Sequence, residues 1–384
     1  MHTPAGLRAL LFRPSSLRLG EAYIFGDCDV VGNLRDVFRI ADQLIGRKSS
    51  FSDRLRAGWF LLRHSRSGAA AKYAARLSGG RQSRSRTRRA ISYHYDLPVE
   101  FWRLWLDPRL VYSCAYFATP AATLEEAQLA KLDLICRKLR LRPGERFLDM
   151  GCGWGALICH AAKQYGVQAL GVTLSARQAE HAQEQIQRLG LGDSCKVEVR
   201  DFFDAGELGP FDKIASVGAV EHVQSLERYF DCVHRMLQPG GWFLNHGITT
   251  SPTQPLRKGD SFLDRYVFPD YRLASIGATV GAAERAGFDV RDVENLREHY
   301  ACTVQHWHER LVHARAEIEK LSDPVRYRIF DLYLAGTGYE FRVGRLQLHQ
   351  TLLFKPDPTA PLAPQTRAHV IAGATEKPER SRWQ

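Results

Sequence analysis

The chain has no stretch of about eighteen uninterrupted apolar residues in its 384 positions, so no conventional transmembrane helix is expected. It has no CxxC pair and no zinc-like spacing among its eight cysteines, at 28, 114, 136, 152, 159, 195, 232 and 302. Scattered thiols of this kind argue against a disulfide-stapled or zinc-ribbon fold and suit a reducing cytoplasm. No metal site is expected: His306 and His308 stand two apart and would diverge on a helix. The opening MHTPAGLRALLFRPSSLRLG has neither a long apolar block nor a small-residue cleavage site, and reads as neither signal peptide nor anchor. Acidic residues are scarce in the first quarter. Residues 1–90 hold 6 Asp and Glu against 18 Lys and Arg, so this segment carries the whole excess of a chain whose net charge is +11. A basic strip of that kind attracts a polyanion. An anionic membrane surface is the preferred partner, with nucleic acid and a plain solvated linker as the alternatives.

The sequence divides into four stretches. Residues 1–62 read as a small α/β domain, with short strands at AYIF (22–25) and CDVV (28–31) and a helix from Leu34 to about Ile45, capped by Asn33 and stopped at Gly46. Residues 63–90, ending GGRQSRSRTRRA, are a basic linker or anchoring strip. Residues 91–355 carry the main domain and 356–384 a polar tail. The main domain opens with the aromatic-rich ISYHYDLPVEFWRLWLDPRLVYSCAYF, either a helix pair packed on the core or a lid over a ligand. Thr123 and Glu126 then form a capping box, and Leu132, Ile135, Cys136 and Leu139 line one face of a helix. Five strands follow, from RFLDM to the strand after QPGG, with helices after the first, second and fourth, and VGAAERAGFDVRDVENL continues the alternation. Such a series predicts a parallel sheet covered by helices on both faces. Residues 302–330 read as a helical insertion and QLHQTLLFKP as a late edge strand.

The segment LDMGCGWGALICHAA (148–162) places three glycines between the end of a strand and the start of a helix. Gly151 and Gly153 remove side chains where a ligand crosses the backbone, and Gly155 lets the helix pack closely. Asp149 just before them would repel a pyrophosphate and welcome a cation. The next strand ends GVTLSARQ, without the acidic residue that usually grips a ribose; Thr173 and Gln178 are placed to bond hydroxyls instead. A cationic nucleoside without phosphate, S-adenosylmethionine (SAM), fits these features better than a dinucleotide.

The motifs YSCAYF, LDMGCGWGAL, GVTLSARQ, SVGAVEHV, NHGI, RYVFPD and YLAGTGYEFRVGRLQLHQTLLFKP, in this order over about residues 90–355, strongly resemble the cyclopropane-fatty-acyl-phospholipid synthase family, which includes the mycolic acid cyclopropane synthases. The segment LGEAYIFGDCDVVGNL is similar to the small N-terminal domain of the bacterial synthases. The resemblance implies a Rossmann-like α/β fold with the seven-stranded sheet of SAM-dependent methyltransferases. It implies SAM contacts at Tyr112, Ser113, Asp149, Gly151, Cys152, Gly153, Trp154, Gly155, Thr173, Leu174, Ser175, Gln178, Asp201 and Phe202. Phe202 stands where an aromatic would meet adenine; core packing is the alternative for it and for Phe203.

The family also implies a bound bicarbonate as base, held at Cys114, Glu221, His246, Ile248 and Tyr300, the first and fourth through their backbones. His222 is expected to support the loop around Glu221. The implied reaction is cyclopropanation of cis double bonds in unsaturated phospholipid acyl chains, by a cytoplasmic enzyme working at the inner membrane surface without nucleic acid; a homodimer is left open. Methylene- or methyl-branched products, or methylation of a small molecule or of nucleic acid, are the alternative activities. A non-catalytic lipid-binding protein is the alternative of another class. Two departures stand out. Thr337 occupies a position where relatives often have cysteine, and FPDYRLAS replaces a glycine-rich stretch near the expected acyl channel.

Overall fold

The computed structural model describes residues 2, 3, 6, 15–45, 72–75, 84–95, 97–253 and 261–359. In chain order the elements are α1 (Ser16–Ile24), α2 (Leu34–Ile45), α3 (Arg84–Tyr95), α4 (Val99–Arg103), α5 (Leu124–Leu139), β1 (Arg146–Met150), α6 (Ala156–Tyr165), β2 (Gln168–Thr173), α7 (Ala176–Arg188), β3 (Cys195–Val199), β4 (Phe211–Val217), α8 (Leu226–Met236), β5 (Leu237–Thr250), α9 (Phe262–Tyr266), α10 (Ile276–Arg285), β6 (Asp289–Asn295), α11 (Arg297–His313), α12 (Arg315–Leu321), α13 (Pro324–Arg342) and β7 (Leu346–Phe354). Short 3-10 turns occupy Phe202–Leu208 and Val220–His222. The chain divides into two compact units, each discontinuous in sequence. One comprises Met1–Leu106, Thr250–Tyr271 and Tyr300–Leu346; the other comprises Asp107–Thr249, Arg272–His299 and Gln347–Gln384.

The first unit is helical among its described residues. AYIF does not form a strand: Ala22–Ile24 complete α1, which Ser15 caps by accepting the Arg18 N–H, and residues 28–31 are irregular. The period of Leu17, Gly20 and Ile24 buries one helical face and outweighs the local β preference of Tyr and Ile. Helix α2 forms as expected, with Asn33 Oδ1 accepting the Arg35 N–H; Gly46 lies outside the described residues. Both helices are tied to α13. The Tyr23 hydroxyl donates to Asp331 Oδ2 at 2.5 Å, His308 Nε2 lies 2.6 Å from Asp331 Oδ1, and the Tyr339 hydroxyl donates to Asp42 at 2.9 Å. The region read as one helical insertion is three helices, α11 to α13.

The aromatic segment around α4 is core. Phe101, Trp102 and Trp105 are fully buried, with Phe101 4.8 Å from Phe330 and Trp105 5.9 Å from Trp307 between ring centres. This favours the packing reading over a lid. The end of the basic stretch is likewise structural: residues 84–95 form α3, and Arg86 forms a two-point ion pair with Asp270. Arg76 and Arg81 fall outside the described residues, as do residues 63–71 and most of the tail.

The second unit holds a seven-stranded sheet in the order β3-β2-β1-β4-β5-β7-β6. Strands β1 to β5 pair in parallel, and β6 and β7 pair antiparallel. The run LQLHQTLLF is not an edge strand. Eight of its nine residues are buried, and a strand covered so completely needs neighbours on both sides. The edge falls to β6, DVRDVEN, where exposed Asp289 and Arg291 carry charges of the kind that protect an open edge. Helices α5, α7, α8 and α10 begin on the side-chain caps Thr123, Ser175, Ser225 and Ser275, the first as a complete capping box. The order reverses between β1 and β4, so the carboxyl ends of these two strands border the crevice in which open α/β sheets receive ligands.

Gly171 of β2 shows how tightly this region packs. A Cβ there would lie 2.7 Å from Cys152 Sγ, 2.8 Å from its Cβ and 2.9 Å from Ile158 Cδ1. Gly171→Val should therefore lower the unfolding free energy by about 3 kcal/mol, the upper range for overpacking a core. Gly192→Ala, where the added Cβ meets nothing, should stay within about 0.5 kcal/mol of the parent. Coincident denaturant midpoints for the Gly171 variant and the parent would show that this contact is not tight.

Candidate active site

The glycine loop lies at the end of β1. Gly151, Gly153 and Gly155 all adopt positive φ, at 83°, 53° and 88°, which only glycine accepts without strain. They serve different needs. A Cβ on Gly155 would come within 2.7 Å of Ala182, so this glycine allows α6 to pass α7; a Cβ on Gly153 would meet nothing within 4 Å beyond its chain neighbours, so the missing side chain leaves open space. The N–H groups of Gly151 and Cys152 both donate to Val172 O at 3.0 Å, which curls the loop over the end of β2. Trp154 is buried and meets His181 edge-on at 5.5 Å.

Asp149 sits beneath this loop, 2 % exposed, and its Oδ1 has no partner among the described residues. Burial pushes its carboxyl up to about 7, and the nearby Lys131 ammonium opposes that rise. At the end of β2, Thr173 Oγ1 donates to Gln178 Oε1 at 2.8 Å, and Ser175 Oγ accepts the Gln178 N–H. Leu174 lies between them in the connection to α7. Asp201 caps the turn after β3 by accepting the Phe203 N–H at 3.0 Å. Phe202 is half-buried, 4.6 Å from Phe203 and 6.0 Å from Tyr229 between ring centres, so it packs on the core while keeping part of its surface open.

Tyr112 and Ser113 are held by two residues of α5 that the motifs did not single out. Gln128 Nε2 donates to Val111 O at 3.3 Å and Ser113 O at 2.9 Å; Lys131 Nζ donates to Ser113 Oγ at 2.7 Å. Both side chains are essentially fully buried. Burial pulls the Lys131 ammonium down to about 8, offset by Cys114, Asp107 and Asp149. The signal was present in the sequence: two polar residues three apart, beside the apolar stripe of an amphipathic helix, are costly unless something buried needs them.

A second group forms where β4 meets β5. After β4 the chain turns through Gly218, at a φ of 71°, into the 3-10 turn that carries Glu221. Glu221 is 6 % exposed; its Oε1 accepts the Ile248 N–H at 2.7 Å and its backbone oxygen accepts the Arg272 N–H at 2.8 Å. The other carboxyl oxygen, Oε2, has no partner among the described residues. Burial pushes this carboxyl up to about 7, against the pull of the Ile248 N–H. His246, opposite Val217 on β5, is 1 % exposed and held well below its usual range by burial, with Lys131 and Lys138 adding to the effect. Its Nδ1 lies 3.1 Å from Gln350 Nε2, and its Nε2 is without a partner among the described residues.

Cys114 is fully buried in the same unit, with its thiol 3.2 Å from Ala115 O and 3.9 Å from Leu296 O. The Ile248 N–H is engaged by Glu221 rather than open to a ligand. Tyr300 belongs to the first unit, where its ring packs at 4.5 Å on Phe341 and meets Trp307 edge-on at 6.0 Å. Thr337, also in that unit, is buried, and its hydroxyl has no partner among the described residues. A cavity of about 340 Å³ in the second unit is lined by Asn245, Gly247, Thr249, His349 and Thr351 among others, but by neither Glu221 nor His246. No cluster of three potential metal ligands occurs among the described residues.

A seven-stranded Rossmann-like α/β sheet with its glycine loop at the point of strand reversal defines the class: this is the methyltransferase fold. The model of the mycolic acid cyclopropane synthetase family matches residues 82–351, and the chain belongs to that family. It is 37% identical over 351 residues to a probable fatty acid methyltransferase of Pseudomonas putida, covering 90% of this chain and 84% of that one. It is 36% identical over 352 residues to the cyclopropane-fatty-acyl-phospholipid synthase of Escherichia coli, covering 89% and 84%. Among solved structures, it resembles the cyclopropane synthase MmaA2 from Mycobacterium tuberculosis, with 34% identity, coverage of 70% and 98%, and a TM-score of 0.67. It also resembles mycolic acid cyclopropane synthase CmaA1 complexed with SAH and CTAB, with 35% identity, coverage of 70% and 98%, and a TM-score of 0.66.

The raised Glu221 carboxyl has a measurable consequence. It titrates near 7 in the folded chain and near 4.5 when free, so across that window the native state holds a proton that the unfolded state has released. The group thus opposes folding increasingly as pH rises, and fully above about 7. Glu221→Gln keeps an oxygen for the Ile248 N–H and removes the titration. The stability of the variant relative to the parent should grow by roughly 3 kcal/mol between about pH 4.5 and 7. A difference that stays flat in denaturant titrations would rule out a buried, raised carboxyl.

Proposed function

We propose that this protein transfers the methyl group of SAM to cis double bonds of phospholipid acyl chains and closes a cyclopropane ring, with bicarbonate as the base. The observation that carries this reading is the pairing of one unpartnered donor or acceptor on each of two buried side chains, His246 Nε2 and Glu221 Oε2, on adjoining elements of the second unit. A small anion bearing its own proton suits a site that offers both a donor and a carboxylate. SAM suits the first group: an unpartnered carboxylate oxygen on Asp149 for an ammonium, and open space at Gly153 where a side chain would block passage. When bound, SAM supplies the electrophilic methyl and bicarbonate the proton acceptor.

The remaining work falls to the chain. The olefin's electron pair would form the bond to the methyl as the methyl–sulfur bond breaks and its electrons stay on the departing thioether, leaving a carbocation on the acyl chain; loss of a proton from the new methyl to the base would supply the electrons that close the ring. Apolar walls must keep water from trapping that cation. Glu221 orients the base by accepting its proton and contributes negative charge near the cation. His246 donates to the base's oxygens, with Tyr300 and the Cys114 and Ile248 backbones as the other positions the family resemblance implies. The Ile248 N–H acts here through Glu221, which it holds in place. The remaining SAM positions, from Tyr112 to Phe202, are proposed as the sequence assigned them. The basic first quarter supports a peripheral site on an anionic membrane, with Arg86 excluded from that role by its ion pair with Asp270. No described helix is long and apolar enough to cross a membrane. A second reading, a fatty-acyl C-methyltransferase leaving a methylene or methyl branch, is favoured by the name of the Pseudomonas putida relative.

Two outcomes follow. A SAM ammonium beside Asp149 should pull its carboxyl down from about 7. Below that pH binding must expel a proton, so affinity should fall by up to about tenfold per pH unit. Calorimetry in buffers of different ionisation heat should detect the released proton, and Asp149→Asn should abolish it; pH-independent affinity with no proton release would remove Asp149 from the SAM site.

The second outcome concerns the product. Expression in a host lacking cyclopropane lipids should yield fatty acids one CH2 heavier with the double bond lost, whereas a retained unsaturation would establish the methylene product instead. In vitro, turnover should rise on adding bicarbonate to a depleted assay. Glu221→Gln and His246→Ala should lose most of kcat with little change in SAM affinity. Turnover indifferent to bicarbonate after verified depletion would reject that base.

A further inference from the structure

His246 is neutral and buried, so which ring nitrogen carries its one proton decides what it can do. The sheet order sets β5 between β4 and β7, and β7 brings Gln350 alongside the imidazole. Gln350 is fully buried, and its Nε2 stands 3.1 Å from His246 Nδ1. An amide NH2 only donates, so Nδ1 accepts and the proton resides on Nε2, the nitrogen with no partner among the described residues. The structure aims the amide NH2, and not Oε1, at the imidazole.

The register around this contact is fixed on both sides. Thr351 Oγ1 donates to Asn245 O at 3.3 Å, the Tyr229 hydroxyl donates to Asn245 Oδ1 at 3.0 Å, and Thr249 Oγ1 lies 2.8 Å from His349 Nδ1. A slip by one residue would remove Gln350 from the imidazole altogether.

We propose that Gln350 is a positioning residue that locks His246 in the Nε2–H tautomer, making His246 a dedicated donor to an anion and not a proton acceptor in the reaction. The inference deepens the bicarbonate reading and rests on it for the identity of the anion. It separates the roles at the site: the imidazole holds, and proton removal belongs to the bound anion with Glu221. Gln350 itself touches no reacting atom.

The test is nitrogen-15 NMR of the full chain labelled at its 14 histidines, with the His246 signals identified by their loss in His246→Ala. Nε2 should show the protonated and Nδ1 the unprotonated shift, unchanged from about pH 6 to 8, since burial keeps the ring neutral. Gln350→Glu places an acceptor on Nδ1 and should reverse the pattern. Gln350→Met, of similar volume and without a buried charge, should leave the two nitrogens exchanging. In both variants the apparent KM for bicarbonate should rise on the order of 10- to 100-fold, the loss expected for one donor to an anion, with SAM affinity unchanged. A wild-type ring protonated at Nδ1, or an Nε2–H pattern that persists in both variants, would overturn the proposal. Turnover independent of bicarbonate together with the predicted wild-type ring pattern would instead reject the bicarbonate reading and leave the tautomer lock standing.

Discussion

The Ile248 N–H to Glu221 bond is the constraint on which the candidate site depends. It joins the turn after β4 to the carboxyl end of β5 and keeps one buried carboxyl oxygen satisfied. The second oxygen is left over, and so is Nε2 of His246. Native interiors rarely tolerate unpaired polar atoms, because each forfeits its hydration without compensation. Two such atoms of complementary character on adjoining elements make sense if the compensation arrives with a ligand. The same logic governs Asp149, whose unpartnered oxygen lies under a loop that keeps open space at Gly153. Burial raises both carboxyls toward neutrality, so each is held in a state that a cation or a proton-bearing anion would change.

Around these groups stands a layer of side chains whose task is placement. Gln128 and Lys131 hold the segment through Ser113, Gln350 holds His246, and Ser175 and Asp201 cap the turns that follow β2 and β3. Gln128, Lys131, Ser175 and Gln350 are buried, where an unpaired polar group would be costly, and these bonds offset that cost. The rigidity matters for chemistry that generates a carbocation: a donor free to swing, or a channel open to water, would divert the cation.

The motifs of the second unit were legible because each carries its reason locally. Glycines at positive φ, a capping box at Thr123 and Glu126, and serines one residue before an apolar period all announce their geometry in a few positions. The misread elements were those whose conformation is imposed from a distance. AYIF has the composition of a strand, but Tyr23 reaches Asp331 more than three hundred residues away and the segment finishes α1. The basic run ending at Arg89 has the composition of a linker, yet Arg86 finds Asp270 and the chain from residue 84 is helical. QLHQTLLF stands last in sequence but not last in the sheet.

The sequence by itself determined the strand–helix alternation, the glycine loop, and the residue types at the site, because short-range periodicity and backbone permissiveness depend only on neighbouring positions. It determined Glu221 and His246 as candidates through the motifs that contain them. Only the tertiary structure decided that β7 lies between β5 and β6, that the Ile248 N–H serves Glu221, and that Gln350 meets the imidazole of His246. Those contacts join residues 27 and 104 positions apart, and hydrogen bonds of that span are set by how the sheet orders its strands, a choice no local pattern encodes.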